Sequence, residues 1–405
     1  MKLIALRRHN PFFQNNASSN RFLSLAKGLG NQGVSLKVIL TDGYLSLSEK
    51  NEFNIAGIKD GIEYEYVNFI TPKGIWSRRF KTYFLDFIYY RIIAKRILQT
   101  VLQYEGPIVW TTDDLRHQKI SLGLKRKAGC KLFIELNEFL DIHKQQTVNL
   151  LQYRIAERSR RLFETVTISH LDGMALMTNA LMKYFINMGN PPPRLLHLPM
   201  TVDMDRFQSK LNSSTNIAVD KPYIVYVGVL SNRKDGIDIL LKAFHQISLE
   251  FSSISLQIFG PWHPDVNFHK QFIKENGLSD RVIIHGEVDR DEIPDILLNA
   301  TALVLPRPDS HQARGGFPTK LGEYLASGVV VCATKVGEIP LYLEDGISAY
   351  LAEPGSSNSF AMALRQCLSD TGKAQEIGKN GREVARKYFN MNLQAKELSV
   401  FLRLL

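Results

Sequence analysis

Cysteine is scarce in this chain of 405 residues, which contains only Cys130, Cys332 and Cys367. Three scattered cysteines are too few for a disulfide framework and lack the paired spacing of a zinc site. We therefore expect all three to be reduced residues that pack in the interior.

The chain also lacks a long hydrophobic segment. No run reaches the eighteen or more apolar residues that a transmembrane helix needs. The opening residues from Met1 to Leu6 meet Arg7 and Arg8 at once, unlike a signal peptide. A hydrophobic content of 44% is ordinary for a globular protein, and the length suits two domains. We expect a cytoplasmic protein.

Positive charge is in excess, but only in the first half. Residues 1–205 contain 28 Lys and Arg against 18 Asp and Glu, whereas residues 206–405 contain 22 of each. In the basic and aromatic stretch 77–96, a helical pattern indicates either contact with an anionic membrane, at the inner face of the cell membrane, or a core helix with solvated Arg and Lys. The pattern favours neither. No zinc-finger spacing, aromatic sheet motif or basic zipper indicates nucleic-acid binding.

Short apolar runs alternate with helical patterns in the second half, which is typical of a doubly wound parallel sheet. The predicted strands are 223–230, 254–259, 281–285, 302–306 and 329–334, with helices at 236–250, 266–276, 290–299 and 318–327. The first half begins similarly, with predicted strands at 3–8, 34–40, 108–111, 131–135 and 164–168 and a helix at 19–30. We expect α/β domains at 1–205 and 222–386, joined by a polar linker at 206–221.

The run from Arg314 to Gly328 carries the clearest chemical signal. Gly315 and Gly316 let the backbone approach a ligand closely, and Pro318 suits the first position of a helix. The amides at 315–320 would then attract an anion such as a diphosphate. Glu323 lies beyond the first turn, where it can accept hydrogen bonds from hydroxyls such as those of a ribose. Taken alone, the motif also fits a plain glycine-rich helix start.

With its neighbours, this run resembles the C-terminal half of family 4 retaining glycosyltransferases, group 1 type, which have the GT-B fold. The matching segments are 226–230 with Lys234, 237–244, 285–288, 302–308, 337–340, 345–346 and 351–355. Together they cover residues 223 to about 385 in the family's order. The resemblance implies two Rossmann-like domains that face a cleft, with a last helix at 387–405 that returns to the N-terminal domain.

The resemblance also implies roles for individual residues. Lys234 stands six residues after Gly228, where the family has a lysine that neutralises the donor diphosphate, and Lys234 and Glu323 are the expected catalytic residues. The expected donor-binding residues are Gly228, Arg233, Lys234, Arg307, Gly315, Gly316, Phe317, Pro318, Thr319, Lys320 and Glu323. The region expected to hold the base comprises Gly260, His285, Gly286 and Glu287.

Two positions depart from the family pattern and mark a divergent subgroup. Members commonly have a second glutamate eight positions before Glu323, where this chain has Gly315. Members also often have an arginine directly after the glycine of the first C-domain strand, where this chain has Val229. Arg233, Lys234 or Arg307 could supply that charge.

Several polar residues of the first half follow predicted strands and could contact an acceptor. The candidates are His9, Asn16, Asp113, Glu135 and Glu138. The alternative is that they are solvated or capping residues, with Ser18 or Ser19 as the cap of the first helix.

Asp289 and Asp291 have the spacing of a metal-binding carboxylate pair. Asp289 with Glu292 is also a capping pair for the next helix, and we favour the cap. We therefore predict no metal and no cofactor.

The sequence thus predicts a nucleotide-sugar-dependent, retaining hexosyltransferase of polysaccharide biosynthesis. It would move a sugar from a nucleoside diphosphate, with UDP or GDP expected, to a hydroxyl of a lipid-linked surface glycan. Two alternatives stay open: a sugar-nucleotide epimerase of the same fold, and a non-catalytic scaffold subunit, which the missing carboxylate at position 315 favours.

Overall fold

The computed structural model describes residues 1–14, 16–68, 86–141, 150–188, 194–213 and 222–405, apart from the side chains of 86–89 and 211–213. The chain forms two compact units. Unit 1 comprises Met1–Leu198 together with Asn392–Leu405, and unit 2 comprises Pro199–Met391. Unit 2 is therefore inserted between two parts of unit 1.

Unit 1 contains an eight-stranded sheet in the order β3-β4-β2-β1-β5-β6-β7-β8. All neighbouring strands are parallel except β3 and β4. The strands are β1 (Lys2–Arg7), β2 (Ser35–Leu40), β3 (Ala56–Lys59), β4 (Ile62–Tyr66), β5 (Ile108–Thr111), β6 (Lys131–Leu136), β7 (Gly173–Leu176) and β8 (Leu195–His197). The strand order reverses direction between β1 and β5.

The helices of unit 1 connect these strands. They are α1 (Ala17–Asn31), α2 (Leu47–Glu52), α3 (Asp86–Val101), α4 (Leu115–Ala128), α5 (Leu150–Leu162), α6 (Ile168–His170) and α7 (Asn179–Asn187). Asn16 caps α1 by accepting a hydrogen bond from the Ser19 amide at 2.9 Å, so the cap is neither of the two serines that the sequence suggested.

The final helix, α18 (Met391–Arg403), completes the core of unit 1. Its residues Ala395, Leu398 and Phe401 belong to one buried cluster with side chains of β1, β2, β5 and α1. At Gly173, the first residue of β7, a Cβ would lie 2.8 Å from both Phe401 and Leu405. The sheet and the last helix are therefore packed too closely for a side chain at this position.

Unit 2 contains a six-stranded, fully parallel sheet in the order β11-β10-β9-β12-β13-β14. The strands are β9 (Tyr223–Val227), β10 (Ser255–Phe259), β11 (Val282–Gly286), β12 (Ala302–Leu305), β13 (Val331–Thr334) and β14 (Tyr350–Ala352). Parallel strands need helical crossovers, and such sheets are covered on both faces.

The helices of unit 2 are α8 (Asp205–Ser213), α9 (Asn232–Asp235), α10 (Ile237–Ile247), α11 (Val266–Glu275), α12 (Ile293–Leu298), α13 (His311–Gly315), α14 (Thr319–Ser327), α15 (Ile339–Tyr342), α16 (Ser357–Ser369) and α17 (Thr371–Val384). Helix α10 buries Ile237, Leu240, Leu241, Phe244 and Ile247, which lie on one face at helical spacing. Gly328 ends α14 with φ of 78°, the left-handed conformation that favours glycine.

Three expectations from the sequence differ from the structure. The predicted strand at 164–168 is wrong, because Phe163–Thr167 form a π-helical turn that continues α5 into α6. The predicted cap of α12 is also wrong, since Glu292 precedes the helix without a side-chain capping bond. The predicted linker at 206–221 begins within α8, and its residues 214–221 lie outside the described part of the chain.

The basic stretch 77–96 is only partly described, because 77–85 lie outside the described ranges. In its described part, Ile93 is buried while Arg91, Ile92 and Lys95 are exposed. The three cysteines are free thiols in buried positions, as expected. No helix in the described ranges combines the length and the apolar character that crossing a bilayer requires.

Candidate functional site

The strand order of unit 2 reverses between β9 and β12, which lie side by side at the centre of the sheet. In open parallel sheets, ligands bind at the carboxyl ends of the strands that flank such a reversal. Gly228 directly follows β9, and Arg307 stands two residues after β12. The topology therefore brings these two predicted residues to the edge where a ligand is expected.

The glycine-rich run forms a bend between α13 and α14. Gly315 is the last residue of α13, Gly316 is extended with φ of −115°, and Pro318 precedes α14 with φ of −72°. Pro318 thus lies one residue before the helix, and the prediction that it takes the first helical position is wrong by one residue. Thr319 and Lys320 supply the first amides of α14, where the helix dipole favours an anion.

Phe317 packs inside unit 2. It is buried, with its ring centroid 5.6 Å from that of Tyr342 and 5.4 Å from that of Phe389. The packed ring therefore holds the bend in place, and the backbone on its two sides continues into α13 and α14.

The side chain of Lys320 extends from the start of α14 to the end of β9. Its Nζ donates hydrogen bonds to the Tyr226 hydroxyl at 2.6 Å and to Asp235 Oδ1 at 2.8 Å. Burial lowers the pKa of Lys320, an effect that Asp235 opposes. Lys234 and Arg307 lower it further by like charge, so three positive charges lie in this region.

Lys234 is held at this edge by the short helix α9. The Ser231 hydroxyl caps α9 by accepting a hydrogen bond from the Lys234 amide at 3.2 Å. Lys234 is half-buried and its neighbour Arg233 is exposed, whereas Arg307 is only 5% exposed. Of these predicted cations, Lys234 and Arg307 are the two whose charge acts on Lys320, and together with Lys320 they form a positive cluster.

Glu323 forms an ion pair that the sequence did not predict. Its Oε1 accepts a hydrogen bond from Arg206 Nη1 at 2.7 Å, and the Glu323 side chain remains 20% exposed. Arg206 also donates from Nη2 to the Arg290 carbonyl at 2.6 Å. Arg206 lies in the segment assigned to a linker, 117 residues before Glu323, and no local pattern indicates this pairing.

Arg290 lies in the same charged group. Burial and the charge of Arg206 lower its pKa, while Glu323 and Asp203 oppose this effect. Its Nε is buried and has no hydrogen-bond partner in the described part of the chain. The surroundings of Glu323 are therefore a mixed-charge cluster and not the open solvent that a lone surface glutamate would have.

The region expected to hold the base lies at the ends of β9, β10 and β11. A Cβ at Gly260 would lie 1.7 Å from the Gly228 carbonyl oxygen, so only glycine allows the two turns to pass each other. The His285 ring stacks on Phe259 at a centroid distance of 4.3 Å and hydrogen-bonds Gln257. Burial lowers the pKa of His285. Gly286 and Glu287 follow at the end of β11, and Glu287 is exposed.

The strand order of unit 1 also reverses, between β1 and β5, and charged residues follow both strands and β2. Arg8 donates to Asp42 Oδ2 at 3.1 Å and lies 3.6 Å from Asp114, while Arg116 lies 3.3 Å from Asp42. His9 Nδ1 is 3.7 Å from Asp42 Oδ2, and burial lowers its pKa. His9 is one of the acceptor candidates from the sequence, whereas Asp42 and Arg116 were not identified from it.

The remaining candidates of unit 1 have other partners. Glu135 is buried in an ion pair with Arg21 at 2.5 Å, and Arg21 also binds the Leu198 carbonyl at 2.8 Å. The Asp113 carbonyl accepts a hydrogen bond from Gln118 at 2.6 Å. Asp113 and Glu138 are both half-buried. Asn16 accepts the capping hydrogen bond at the start of α1.

The described residues contain no group of three or more His, Cys, Asp or Glu side chains arranged as metal ligands. Asp289 and Asp291 therefore do not belong to such a group there.

Two α/β units with parallel sheets define the GT-B fold, which this chain has. Sucrose-phosphate synthase from Thermosynechococcus elongatus aligns with a TM-score of 0.74 at 17% identity, over 99% of this chain and 98% of that chain. Anabaena HepE in complex with UDP aligns with a TM-score of 0.70 at 19% identity, over 100% of both chains. At these identities the likeness shows the fold alone.

Residues 207–384 match the family model for glycosyl transferases group 1. Among curated proteins, the lipopolysaccharide 1,2-N-acetylglucosaminetransferase of Salmonella typhimurium is 30% identical over 190 residues, which are 45% of this chain and 48% of that protein. The chain spans about half the length of the curated relatives that it matches. Its second half therefore contains a glycosyltransferase group 1 domain.

Proposed function

We propose that the chain is a retaining glycosyltransferase of the family 4 type, which moves a hexose from a nucleoside diphosphate sugar to a hydroxyl of a lipid-linked surface glycan. The observation that carries this proposal is the positive cluster at the strand reversal of unit 2, inside the group 1 domain. Lys234, Lys320, Arg307 and the first amides of α14 provide the charge that a diphosphate needs.

The proposed chemistry is electrostatic. When the nucleotide leaves, negative charge develops on the diphosphate and positive character develops on the sugar. Preorganised amides and ammonium groups stabilise that leaving charge without a protein nucleophile. The resemblance to the family implies that the acceptor hydroxyl attacks the sugar from the face that the nucleotide leaves. The departing diphosphate then acts as the base that takes the proton of this hydroxyl.

Glu323 is the proposed ribose ligand. A carboxylate offers about four lone-pair acceptor sites, so the bond to Arg206 leaves capacity for ribose hydroxyls. Arg206 orients the carboxylate through one hydrogen bond and is itself held by a second, which it donates to the Arg290 carbonyl. Of the two predicted catalytic residues, Lys234 would thus act on the diphosphate and Glu323 would position the nucleoside.

The comparisons support a nucleotide-sugar donor. HepE was solved in complex with UDP and with UDP-glucose. The Salmonella relative is named as a lipopolysaccharide transferase, which supports a glycan acceptor. On unit 1, the cluster of Arg8, His9, Asp42 and Asp114 is the proposed acceptor contact, because these side chains lie where its own strand order reverses.

Donor binding can be tested by thermal shift with UDP, GDP, ADP and their sugars. We expect one nucleotide family to raise the melting temperature, since a ligand stabilises the state that binds it. Glu323→Ala and Lys234→Ala should each reduce that shift, corresponding to about a tenfold loss of affinity for a charged contact. The matched control Lys335→Ala, at an exposed lysine paired with Glu353, should leave the shift unchanged.

Unchanged nucleotide affinity in both site variants would contradict the placement of the donor. The reaction itself is tested by the anomeric configuration of the product, which should match that of the donor. Isotope from labelled water in the sugar would instead indicate the epimerase, and nucleotide binding without transfer to any acceptor would indicate the scaffold.

A further inference from the structure

His269 is a fully buried histidine of α11 that the proposed chemistry does not use. Its Nε2 lies 2.6 Å from Asn232 Oδ1. The same Oδ1 accepts a hydrogen bond from the Asp238 amide at 3.1 Å, which identifies it as the amide oxygen. An oxygen can only accept, so His269 Nε2 is the donor of the shared hydrogen bond.

The His269 ring is held in its neutral form. Its Nδ1 is buried and has no hydrogen-bond partner among the described residues. A proton on Nδ1 would therefore be a buried donor without an acceptor, which costs free energy. Burial lowers the pKa of His269, Asp265 and Asp238 oppose this effect, and His263 adds to it. His269 thus acts on Asn232 as a neutral donor.

Asn232 is the first residue of the short helix α9 and joins it to its neighbours. Its backbone amide donates to Asp265 Oδ2 at 2.8 Å. Asp265 lies directly before α11, at the end of the loop that follows β10. Through its side-chain oxygen, Asn232 also binds the first turn of α10 and His269 of α11. The start of α9 is therefore attached to two helices and one loop.

Helix α9 depends on such attachments. It has only four residues, and a helix this short is not stable alone. Its far end is fixed by Gly236, which has φ of 71° and where a Cβ would lie 2.1 Å from the Pro306 carbonyl oxygen. Its start is fixed by Asn232. Lys234 lies between these two ends, so its position follows from both.

The contact between His269 and Asn232 gives this attachment a direction. Burying a histidine and an asparagine costs free energy that apolar side chains would not cost. A hydrogen bond, unlike an apolar contact, has a preferred distance and angle. The pair therefore fixes where α9 begins more closely than packing alone would.

We propose that His269 is a positioning residue of the donor site: it holds Asn232 and thereby α9, so that Lys234 presents its ammonium to the donor diphosphate. This inference rests on the proposed function, in which Lys234 acts on the diphosphate. His269 itself is buried beneath α9 and touches no ligand. Its effect on binding is therefore expected to pass through Lys234.

The first test compares His269→Leu, His269→Gln and the control His245→Leu, with UDP and uridine or GDP and guanosine as probes. His269→Leu should weaken binding of the diphosphate about three- to tenfold, the size of one hydrogen bond. Nucleoside affinity should change less than twofold. His269→Gln should restore most of the loss, because its neutral amide can donate to Asn232 Oδ1. His245→Leu, at an exposed histidine, should change neither affinity.

A Lys234→Ala background separates positioning from a general structural role. His269→Leu should have no further effect on diphosphate affinity in that background, because it acts only through Lys234. The same additional loss in both backgrounds would overturn the proposal. Wild-type diphosphate affinity in His269→Leu alone would also overturn it.

Hydrogen exchange of the ligand-free protein tests the hold on α9 without any nucleotide. Amides of residues 228–240 should exchange faster in His269→Leu and near the wild-type rate in His269→Gln, whereas those of α16 should not change. Unchanged exchange at 228–240 would overturn the proposal. If His269→Leu does not fold, Asn232→Ala removes the same hydrogen bond from the other partner and replaces it in each measurement. A wild type that binds neither UDP nor GDP would refute the proposed function, and exchange would still decide whether His269 holds α9.

Discussion

His117 illustrates how a single buried side chain can make the stability of unit 1 depend on pH. It is fully buried, and its ring nitrogens lie 2.8 Å from the Thr41 hydroxyl and 2.7 Å from the Thr112 hydroxyl. Burial lowers its pKa to about 4. Burial raises the pKa of the neighbouring Asp114. The charges of His117, Arg8 and Arg116 outweigh this effect and lower the pKa to about 2.

The lowered pKa of His117 predicts that acid destabilises the folded protein. Its pKa is about 4 when folded and about 6.5 when unfolded, so between these values only the unfolded chain gains a proton. The free energy of unfolding is therefore highest above pH 6.5, and it falls by about 3 kcal/mol as the pH drops towards 4. Urea unfolding across this range should show a flatter dependence for His117→Gln than for the wild type.

The exposed residue His245 is the matched control for that measurement. His245→Gln should keep the pH dependence of the wild type. An identical slope in His117→Gln and His245→Gln would contradict the assignment of the proton to His117.

At the scale of elements, the turns after β9 and β10 must pass each other closely. The Gly260 amide donates to the Gly286 carbonyl at 2.7 Å, while the Gly228 carbonyl oxygen lies against the Cα of Gly260. The three glycines thus end three adjacent strands at one edge of the sheet, but only Gly228 and Gly260 lack room for a Cβ. Close packing and backbone conformation can therefore be separated experimentally.

Gly260→Ala should destabilise unit 2 by about 3 kcal/mol or more, because overpacking adds to backbone strain. Gly286→Ala is the matched control, since its φ of 91° is also strained but nothing lies within 4 Å of the added Cβ. It should cost about 1–2 kcal/mol. Chemical denaturation of both variants checks the difference, and equal losses would contradict the close contact.

The elements also show what the sequence could and could not reveal. Five of the six strands of unit 2, β9 to β13, were predicted to within three residues, because continuous apolar runs between turns are typical of buried parallel strands. The strand predicted at 164–168 is wrong. Thr, Val and Ile favour strands, but the backbone of this segment continues the preceding helix as a π-helical turn. Strands β3, β4, β7, β8 and β14, of three to five residues, were not predicted, and strands this short give a weak pattern in the sequence.

The candidate site was predictable where it is local in the sequence. The glycine-rich bend, Lys234 and Glu323 belong to motifs with recognisable spacing. The side-chain network of Lys320 was not predictable, because its partners Tyr226 and Asp235 lie 94 and 85 residues away. The same holds for Arg206, which meets Glu323 only through folding.

At the scale of the whole molecule, the net charge of +10 belongs entirely to residues 1–205. Several basic residues of the stretch 77–96, including Arg78, Arg79 and Lys81, lie outside the described ranges, while Arg91 and Lys95 are exposed on α3. We propose that this charge attracts the protein to anionic lipid, where a lipid-linked acceptor would reside.

Flotation with vesicles tests this attraction. The wild type should float with anionic phosphatidylglycerol vesicles, less so at high salt, and remain behind with neutral phosphatidylcholine vesicles. Replacement of Arg78, Arg79 and Lys81 by alanine should weaken flotation. Replacement of the exposed Lys270, Lys274 and Lys335 of unit 2 should not. Equal flotation with neutral vesicles would contradict the proposal.

The packing of α18 into unit 1 also determines the order in which the protein can fold during translation. Domains generally fold from the N-terminus as they leave the ribosome. Here the residues from Asn392 onwards, which fill the core of the first unit, are synthesised after all of unit 2. Unit 2 can therefore fold before the last helix of unit 1 has been synthesised. Until α18 is available, the sheet of unit 1 exposes the apolar surface against which this helix packs.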